Sequence, residues 1–490
     1  MPSPAPRHMA GGEGPPGRRW PVASIVLAVV AVAAVVGALV FDRGASAEPV
    51  GVTVTPTTPV LSARRVPEVL AAPIADRHLK ADLDAWLARS PATTCLVVDA
   101  GGREAYGHNP ETPVTGASTQ KLLTATGLLL TLGPKATLDT TAVAAAEPSG
   151  GVVNGDLFLV GGGDANLGTP DWPGQTPGTT VKVVHDIDAL AAGIARAGVR
   201  RVTGGVVGDG TRYDAQRYQS SLPSRLIAQR QIGPIGGLMV NDGFAAFSPE
   251  RSLTSTVPAR DTAADAARVL TERLAAHGVA VGGPPRSGKA PAGAVTVATM
   301  KSPPLSKVIA DMLTTSDNET AESALKEIGH QVTHRTGTWK DGAAGLQKLL
   351  TDAGVPVAGV KVVDGTGLSI QDQLTCRALV GTLSRPGTGP VLRNGLAVAG
   401  QTGTLADRWV GTPVAGRLRA KTGTLRNVTA LAGEVKTTAG STVTFAYVAN
   451  VPDPGSINPA AVDMDRLPAI LLRYPESVDV AELGPRPPEG

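Results

Sequence analysis

Three short motifs lie far apart in this 490-residue chain, and their order limits what the chain can become. They are Ser-x-x-Lys at 118–121, Ser-Asp-Asn at 316–318 and Lys-Thr-Gly at 421–423. The first residues of successive motifs are 198 and 105 positions apart. A single Ser-x-x-Lys is weak evidence, because a second one occurs at 323–326. That copy follows Ser-Asp-Asn within a predicted helix, so order and context select the copy at 118–121.

The first motif has a chemical rationale. Ser118 and Lys121 head the otherwise apolar run from Gly116 to Gly133, and on a helix a spacing of three puts both side chains on one face. A serine hydroxyl is a poor nucleophile at neutral pH and needs a base within hydrogen-bond reach. Lys121 can be that base if burial and a nearby cation, for which Lys421 is the candidate, lower its pKa. The helix N-terminus adds a positive field that stabilises the alkoxide.

Other active-site patterns are absent or incomplete. No Gly-x-Ser-x-Gly elbow occurs, which disfavours an α/β-hydrolase. His330 and His334 have the spacing of a zinc-binding pair, but Gln331 stands where that motif needs Glu, so we interpret them as a solvated helix face. Residues 283–290 mimic a phosphate-binding loop, but two prolines remove N–H donors, so we interpret them as a loop. The sequence therefore predicts no metal and no cofactor. A net charge of +3 without a basic run predicts no nucleic-acid partner.

The N-terminal region predicts export. Residues 22–41 carry no charge and follow an arginine pair at 18–19. Their length suits a membrane span better than the core of a cleaved signal peptide. The arginines predict that residues 1–21 stay in the cytoplasm and that the chain after the span lies on the extracytoplasmic side of the cell membrane. Cleavage near Ala47, which would release a secreted protein, is the alternative. Residues 42–64 form the predicted linker.

Apolar periodicity predicts the elements of the remaining chain. The predicted helices are 75–89, 186–197, 263–277, 305–314 and 318–333. The predicted strands outside the central region are 94–100 and 103–107, which form a hairpin, and 417–425 and 442–451, which are two further hairpin strands. From about 138 to 297, short Val/Leu/Thr segments broken by Gly predict a β-rich module. Residues 476–490 form a disordered tail in this interpretation.

Cys95 and Cys376 are the only cysteines. Two cysteines exclude a disulfide scaffold or a zinc cluster. One bridge stays open as a possibility, and we favour two small buried thiols over it.

The three motifs together form the active-site set of β-lactamases and penicillin-binding proteins. At these motifs the chain resembles the D-alanyl-D-alanine carboxypeptidases of the penicillin-binding protein 4 family, the class C low-molecular-mass penicillin-binding proteins. The resemblance covers about residues 58–475. Further segments that look like family signatures are 58–67, 159–167, 207–214, 239–244, 362–369 and 399–408.

The resemblance implies the fold class. It is α/β, with a penicillin-binding/β-lactamase-like serine transpeptidase domain in which helices flank an antiparallel sheet. The family carries its extra domains between the first and second motifs, where the β-rich texture occurs here. Chain continuity then makes residues 65–137 and 298–475 one DD-peptidase domain, with 138–297 inserted into it.

The resemblance also implies the role of each site residue. Ser118 is expected to be the acylated nucleophile, Lys121 its base and Ser316 the proton relay to the leaving D-alanine. Asn318 is expected to hold the substrate amide, while the segment Lys421, Thr422, Gly423 and Thr424 binds the terminal carboxylate. The backbone N–H groups of Ser118 and Thr424 are expected to form the oxyanion hole. Thr366 and the pair 401–402 depart from the expected pattern, which puts only fine specificity in doubt.

The expected function is that of an exported D-alanyl-D-alanine carboxypeptidase that trims peptidoglycan stem peptides, with β-lactam antibiotics as covalent inhibitors. A DD-endopeptidase that cleaves peptide cross-links remains the main alternative. A β-lactamase is disfavoured because no Glu-x-x-Leu-Asn segment occurs in 319–420. An inactive cell-wall binding protein is disfavoured because Ser118, Lys121 and Lys421 are all present. The sequence leaves open the oligomeric state and the role of the inserted module.

Overall fold

A computed structural model of the chain describes residues 67–88, 93–172, 184–247, 256–452 and 463–476. The predicted cytoplasmic tail, membrane segment and linker, and nearly all of the C-terminal tail, lie outside these ranges. Within the ranges, no helix is both long and apolar enough to cross a bilayer.

The described chain contains eleven α-helices and eighteen strands. The helices are α1 (Pro67–Leu87), α2 (Gln120–Leu132), α3 (Asp188–Arg196), α4 (Ser224–Ala228), α5 (Thr262–Ala276), α6 (Leu305–Thr315), α7 (Asn318–Thr333), α8 (Trp339–Asp352), α9 (Cys376–Ser384), α10 (Thr388–Asn394) and α11 (Leu467–Leu472). The prediction for α7 matches its bounds, and that for α6 differs by one residue. Both helices have local start signals: Pro304 precedes α6, and Asp317 caps α7 by accepting the Thr320 N–H.

The central sheet joins the two ends of the described chain. Its strands are β1 (Thr93–Ala100), β2 (Arg103–His108), β15 (Ala397–Val398), β16 (Leu418–Leu425), β17 (Val428–Lys436) and β18 (Thr442–Asn450). The order is β15-β16-β17-β18-β1-β2, and every neighbouring pair is antiparallel. This arrangement places the Lys-Thr-Gly strand, β16, near one edge of the sheet.

Helices cover both faces of this sheet, as expected for the predicted fold. Because successive side chains of a strand alternate, Cys95 of β1 belongs to one hydrophobic core and Leu96 to another. The first core also contains residues of α2, α7 and α9, including Leu122, and the second contains residues of α1 and α11, including Leu83. The helix that follows Ser118 is therefore packed directly against the sheet that carries Lys421.

The region between the first and second motifs has its own sheets and its own core. Its strands are β3 (Thr140–Ala144), β4 (Val152–Val153), β5 (Leu157–Val160), β6 (Leu167–Gly168), β7 (His185–Asp186), β8 (Arg201–Val202), β9 (Val206–Asp209), β10 (Phe244–Ala246), β11 (Val257–Pro258), β12 (Ala280–Val281), β13 (Arg286–Ser287) and β14 (Val295–Met300). The largest sheet has the order β13-β9-β5-β3-β14, in which β13, β9 and β5 are parallel and β3 pairs with β14 antiparallel. Since β3 begins this region and β14 ends it, its two ends lie side by side, which an insertion requires.

One part of this region packs outside its own core. Leu226, Ile232 and Met239 belong to the same hydrophobic core as Leu122 of α2. The stretch 138–297, proposed from the sequence as an inserted module, is thus joined to the peptidase core by apolar packing.

Three details differ from the sequence-based expectations. Strand β17 was not predicted, because Val428–Lys436 is rich in Ala and Gly, which have low strand propensity. It lies between 417–425 and 442–451, which were predicted as hairpin strands. The segment 283–290 is not wholly a loop, since Arg286 and Ser287 form β13.

The cysteines do not remain free thiols. Cys95 of β1 and Cys376, the first residue of α9, form a disulfide across 281 positions of sequence. Our preference for two thiols was wrong, because the packing of α9 against the sheet brings the two Cα atoms to 5.8 Å, a contact with no local sequence signal.

Candidate active site

Ser118 and Lys121 meet at the start of α2. Residues Ala117–Thr119 form a single turn of 3₁₀ helix that leads into α2. Lys121 Nζ donates a hydrogen bond of 3.0 Å to Ser118 Oγ. The spacing of three therefore places the hydroxyl and the amine together, although the serine lies one turn before the α-helix proper.

Two glycines allow other segments to approach this turn. A Cβ atom on Gly423 of β16 would collide with the Gly116 carbonyl oxygen, and one on Gly367 would collide with the Ala117 carbonyl oxygen. Gly367 also has φ +79°, which other residues rarely adopt. The glycine of Lys-Thr-Gly is thus needed so that β16 can pack against the segment that carries Ser118.

Lys121 is fully buried and has polar but uncharged partners. Its ammonium donates to Asn318 Oδ1 at 2.7 Å and to the Thr366 carbonyl at 3.3 Å, besides Ser118. Burial lowers the pKa of Lys121 to about 8, and the nearby carboxylates, Asp364 first, oppose that shift. Lys121 can therefore lose its proton near neutral pH, as a base for Ser118 must.

Lys421 is the second buried lysine of the site. It donates to the Thr422 carbonyl at 3.0 Å, and among the described residues neither it nor Lys121 takes part in an ion pair. Burial first, and then the charge of Lys121, hold the pKa of Lys421 well below its usual range. The sequence suggested that Lys421 depresses the pKa of Lys121. In the structure burial is the leading cause of the lowered pKa of both lysines, and repulsion by the other ammonium group adds to the lowering at Lys421.

The Ser-Asp-Asn motif forms the junction between α6 and α7. Ser316 ends α6 in the left-handed conformation (φ 67°, ψ 32°), and α7 begins at Asn318. This sharp turn directs the side chain of Asn318 toward Lys121. The amide nitrogen of that side chain donates to the Gln231 carbonyl at 2.6 Å. Ser316 lines the cavity beside Ser118, but its hydroxyl has no hydrogen-bond partner among the described residues. A relay through Ser316 would therefore need substrate or water to complete it.

These motifs border a cavity of about 440 Å³. The predicted site residues on its wall are Ser118, Ser316, Asn318, Thr422 and Thr424. Lys121, Lys421 and Gly423 are not on that wall. Along β16 the side chains alternate, so that Thr422 and Thr424 face the cavity while Lys421 and Gly423 lie behind it.

Other residues on the cavity wall were not predicted as site residues. They are Arg230, Gln231, Thr315, Asp317, Glu319, Leu368, Thr404 and Arg408. Thr404 and Arg408 occur in the quoted signature 399–408, and the Thr404 hydroxyl accepts from that of Thr422 at 3.0 Å. That signature was the signal that could have identified them. Arg230 and Gln231 come from the region 138–297, where no motif marks them.

A set of buried carboxyl groups lies beneath Lys121. Burial, and next the charge of Asp364, raise the pKa of Glu322 to about 8. Thr366, one of the departures from the family pattern, connects Lys121 to these buried carboxyl groups. Its carbonyl accepts from Lys121, and its hydroxyl lies 3.2 Å from Glu322 Oε1. A single residue, Thr366, thus links the carboxyl group of Glu322 to the proposed base.

Three further carboxylates cluster beside the cavity, with oxygen atoms within 4.8 Å of one another: Asp242, Asp317 and Glu319. Each already accepts a hydrogen bond, from the Trp172 indole, the Thr320 N–H and the Gly233 N–H respectively. We assign no metal to this cluster.

Comparison with known proteins finds similarity over most of the chain. The model of the D-Ala-D-Ala carboxypeptidase 3 (S13) family matches residues 79–252 and 248–467. A carboxypeptidase, DacB, of Mycolicibacterium smegmatis is 31% identical over 451 residues, which cover 88% of this chain and 92% of the relative. A D-alanyl-D-alanine carboxypeptidase of Actinomadura sp. is 28% identical over 475 residues, which cover 81% and 84% respectively.

Solved structures show the same fold. Penicillin binding protein 4 from Haemophilus influenzae superposes with a TM-score of 0.67 at 18% identity, covering 80% of this chain and 99% of that protein. Its complex with a β-lactam gives a TM-score of 0.60 at 20% identity. The α/β fold of penicillin-binding proteins, expected from the motifs, is confirmed.

Proposed function

This chain belongs to the D-Ala-D-Ala carboxypeptidase 3 (S13) family, and from that premise we propose that it removes the terminal D-alanine from peptidoglycan stem peptides outside the cytoplasmic membrane. As a member of the family it is a serine-type carboxypeptidase and a hydrolase. The observation that carries the proposal is the 3.0 Å contact between Ser118 Oγ and the buried Lys121 amine. It supplies a nucleophile and a base in one place.

The first half-reaction is acylation. Neutral Lys121 takes the proton of Ser118 as Oγ attacks the carbonyl carbon of the penultimate D-alanine. The N–H groups of Ser118 and Thr424 stabilise the oxyanion. When the C–N bond breaks, the proton passes from Lys121 through Ser316 to the amine of the leaving D-alanine. With a pKa of about 8, Lys121 is neutral in about one molecule in ten at pH 7, enough to sustain the step.

The second half-reaction releases the shortened peptide. Water attacks the ester on Ser118, Lys121 takes a proton from that water, and Ser118 regains its hydrogen as the ester bond breaks. The same groups therefore serve both halves, with the lysine returning each time to its starting state.

Recognition of the substrate carboxylate falls to the wall opposite Ser118. Thr422 and Thr424 present hydroxyl groups there, and Arg408, which forms an ion pair with Asp465, lies on the same cavity wall. Lys421 lies behind Thr422, donates to its carbonyl, and adds positive potential at this wall only in its protonated form. On this proposal the substrate amide is held by Asn318, which lies on the cavity wall and whose side chain links Lys121 to Gln231. A free terminal carboxylate is what these groups suit, which favours carboxypeptidase over endopeptidase action.

Location outside the membrane rests on two observations. The uncharged segment 22–41 after the arginine pair at 18–19 predicts a single span with the remaining chain on the extracytoplasmic side. The Cys95–Cys376 disulfide supports this location, because such bonds persist in oxidising compartments and are rare in the cytosol.

β-Lactam antibiotics are proposed to acylate Ser118. They present a strained amide and a carboxylate, the two features that this site handles in its substrate. The penicillin binding protein 4 relative from H. influenzae has been solved in complex with a β-lactam. On this proposal the antibiotic is a covalent inhibitor of the enzyme.

The test compares two substrates on the purified protein. D-Alanine release from a pentapeptide muropeptide is expected, and a Ser118→Ala variant should abolish it whereas Ser323→Ala should not. Labelled penicillin should give an adduct that mass spectrometry maps to Ser118. Cleavage of a cross-linked dimer without D-alanine release would assign endopeptidase action instead, and a stable adduct on Ser323 would refute the site.

A further inference from the structure

A second cleft, of about 720 Å³, lies outside the active site. Three exposed cations border it: Arg217, Arg260 and Lys289. Its volume is in the range of ligand-binding sites, about 300–1,000 Å³. Lys289 belongs to the segment that mimics a phosphate-binding loop, which the catalytic mechanism leaves without a role.

Two carboxylates also line this cleft, but only Asp261 opposes the three cations, because Asp214 is paired with another lysine. Asp214 pairs with Lys326 Nζ at 2.7 Å. Asp261 caps α5 by accepting the N–H groups of Ala263 and Ala264 at 3.0 Å. Among the described residues, none of the three cations takes part in an ion pair. The cleft therefore has a net positive field.

The position of the cleft in the fold favours an anionic ligand as well. The parallel strands β9 and β13 both end at it, through Gly210 and Gly288 respectively. Helix α5 starts there, with Thr262 and Ala263 on the wall. Ligand sites in α/β sheets lie at the carboxyl ends of parallel strands, whereas the first N–H groups of α5 are already bound by Asp261. The strand ends and the excess of side-chain cations are thus the features that suit an anionic ligand.

Arg217 gives this arrangement rigidity. Its guanidinium donates to the carbonyl oxygens of Ala259 and Arg260, at 3.0 and 2.7 Å. The backbone that presents Arg260 is therefore fixed, while the side chains of Arg260 and Lys289 make no hydrogen bond within the described residues. Two cationic side chains are left available to a ligand.

A short stretch of chain connects the cleft to the active site. Arg230 and Gln231 line the catalytic cavity, and Ile235 to Gly237 line the second cleft. Gln231 and Ile235 are four positions apart, which corresponds to at most about 14 Å when the chain is fully extended. One polymer chain of modest length can therefore reach both sites.

We infer that this cleft binds free carboxylates of the peptidoglycan strand whose stem peptides enter the active site. The inference rests on the proposed function, which makes an acidic polymer the substrate. Stem peptides next to the one being trimmed carry carboxylates that can occupy the cleft. Holding the polymer at a second point raises the effective concentration of substrate at Ser118.

The direct test measures binding without turnover. The full chain carrying Ser118→Ala is incubated with purified insoluble peptidoglycan, and the bound fraction is measured after sedimentation. Adding Arg260→Ser and Lys289→Ser should weaken binding about tenfold at low salt and reduce its salt dependence. The control pair Lys135→Ser and Lys436→Ser removes the same charge from exposed positions on neither cavity wall, and it should leave binding unchanged.

Chemical modification of the polymer identifies the ligand group. Amidation of the peptidoglycan carboxylates should weaken binding of the Ser118→Ala protein as much as the cleft substitutions do, with no further effect on the cleft variant. Removal of covalently attached phosphate polymers should leave binding intact. Loss of binding on phosphate removal but not on amidation would overturn the inference, as would a cleft variant that binds like the control pair.

Activity separates this inference from the proposed function. With Ser118 intact, the cleft variant should release D-alanine from a short soluble peptide at the normal rate but from the insoluble polymer about tenfold more slowly. If the unaltered enzyme releases no D-alanine from the short peptide, the proposed function fails, and the sedimentation result still decides the cleft. If release is normal and the cleft variant equals the control on polymer, only the cleft inference fails.

Discussion

The two Ser-x-x-Lys segments of this chain bury their lysines equally but give them different surroundings. Lys121 and Lys326 are both fully buried, and burial lowers the pKa of both. Lys121 donates to the hydroxyl of Ser118 and has no ion-pair partner among the described residues. Lys326 donates to Asp214 at 2.7 Å, and its own Ser323 hydroxyl has no partner in the described part of the chain.

The difference lies in what the rest of the fold brings to each lysine. Asp214 and the Gln216 carbonyl come from the region 138–297, and the Trp339 ring centre lies 3.6 Å from the Lys326 ammonium. These groups favour the charged form and hold it in place. Lys121 instead meets uncharged acceptors and a second buried lysine. A buried lysine with a carboxylate partner is suited to structure, and one without is suited to proton transfer.

The largest effect that would distinguish the two segments is on acylation. Lys121→Ala should reduce the rate of penicillin acylation by about 10³-fold or more, because the base is lost. Lys326→Ala should leave the rate per folded molecule within a few fold. Stopped-flow acylation with labelled penicillin measures both. Near-normal acylation by Lys121→Ala would show that Lys121 is not the base, and it would contradict the comparison of the two lysines.

The second effect is on stability, and here the substitution at Lys326 should have a larger effect than the one at Lys121. Lys326→Met should lower the free energy of unfolding by about 2–3 kcal/mol, since it leaves Asp214 without its buried partner. Lys121→Met should cause no such loss, because it removes a buried charge that has no ion pair. Urea unfolding at pH 7 gives both values. Lys348→Met is the control, since its pair with Asp352 is exposed and should contribute no more than about 0.5 kcal/mol. Equal losses for Lys121 and Lys326 would contradict the comparison.

A smaller effect is expected on the pH dependence of acylation. The Glu322 carboxylate raises the pKa of Lys121 against the dominant lowering by burial. Because burial raises the pKa of Glu322 itself to about 8, it carries this charge only in the upper part of the pH range. Glu322→Gln removes the charge there, so the pKa of Lys121 should fall slightly further. Because the neutral amine is the active form, activity rises with pH through this pKa, and the rise should move to lower pH by less than about one unit. The measurement is the acylation rate between pH 6 and about 9.5.

The matched control for that experiment lies beside the other lysine. Asp214→Asn removes a carboxylate from Lys326, so it should leave the pH profile of acylation where it was. A shift of the same size with Asp214→Asn, or a shift to higher pH with Glu322→Gln, would show that the buried carboxyl group does not act on Lys121.

The smallest effect concerns the two serines. Ser323→Ala removes a buried hydroxyl that has no partner among the described residues and adds a residue with better helix propensity. Stability should rise by up to about 0.5 kcal/mol, with acylation unchanged, as measured by urea unfolding and penicillin labelling. Ser118→Ala should abolish labelling. A stability loss above about 1 kcal/mol for Ser323→Ala would show that its hydroxyl has a structural partner after all.

The sequence located most of the catalytic cavity but not the whole of it. Order and context selected Ser118 over Ser323, and five of the eight predicted site residues lie on one cavity wall. Lys121, Lys421 and Gly423 lie behind that wall, which alternation along β16 and the direction of α2 decide. The cations on the wall, Arg230 and Arg408, were not predicted, because neither occurs in a motif with a catalytic meaning.

What the sequence by itself determined is local. The start of α7 at Asn318 follows from its Asp317 cap, and the Ser118–Lys121 contact follows from a spacing of three at a helix start. Such features depend on residues within one or two turns, so they are readable along the chain. The motifs also carried the family resemblance, because the chemistry of acyl transfer limits which residue types can serve.

What only the tertiary structure decided depends on contacts between distant segments. It pairs Cys95 with Cys376 across 281 positions, and places Asp214 against Lys326 across 112. It inserts β17 between two strands that the sequence predicted as a hairpin. Such contacts are stabilised by the packing of distant segments, which a local sequence pattern does not predict. The same four-residue motif therefore forms the proposed catalytic pair at one place and an ion pair at the other, because the assembled fold gives Lys326 a carboxylate as a direct partner and gives Lys121 only uncharged ones.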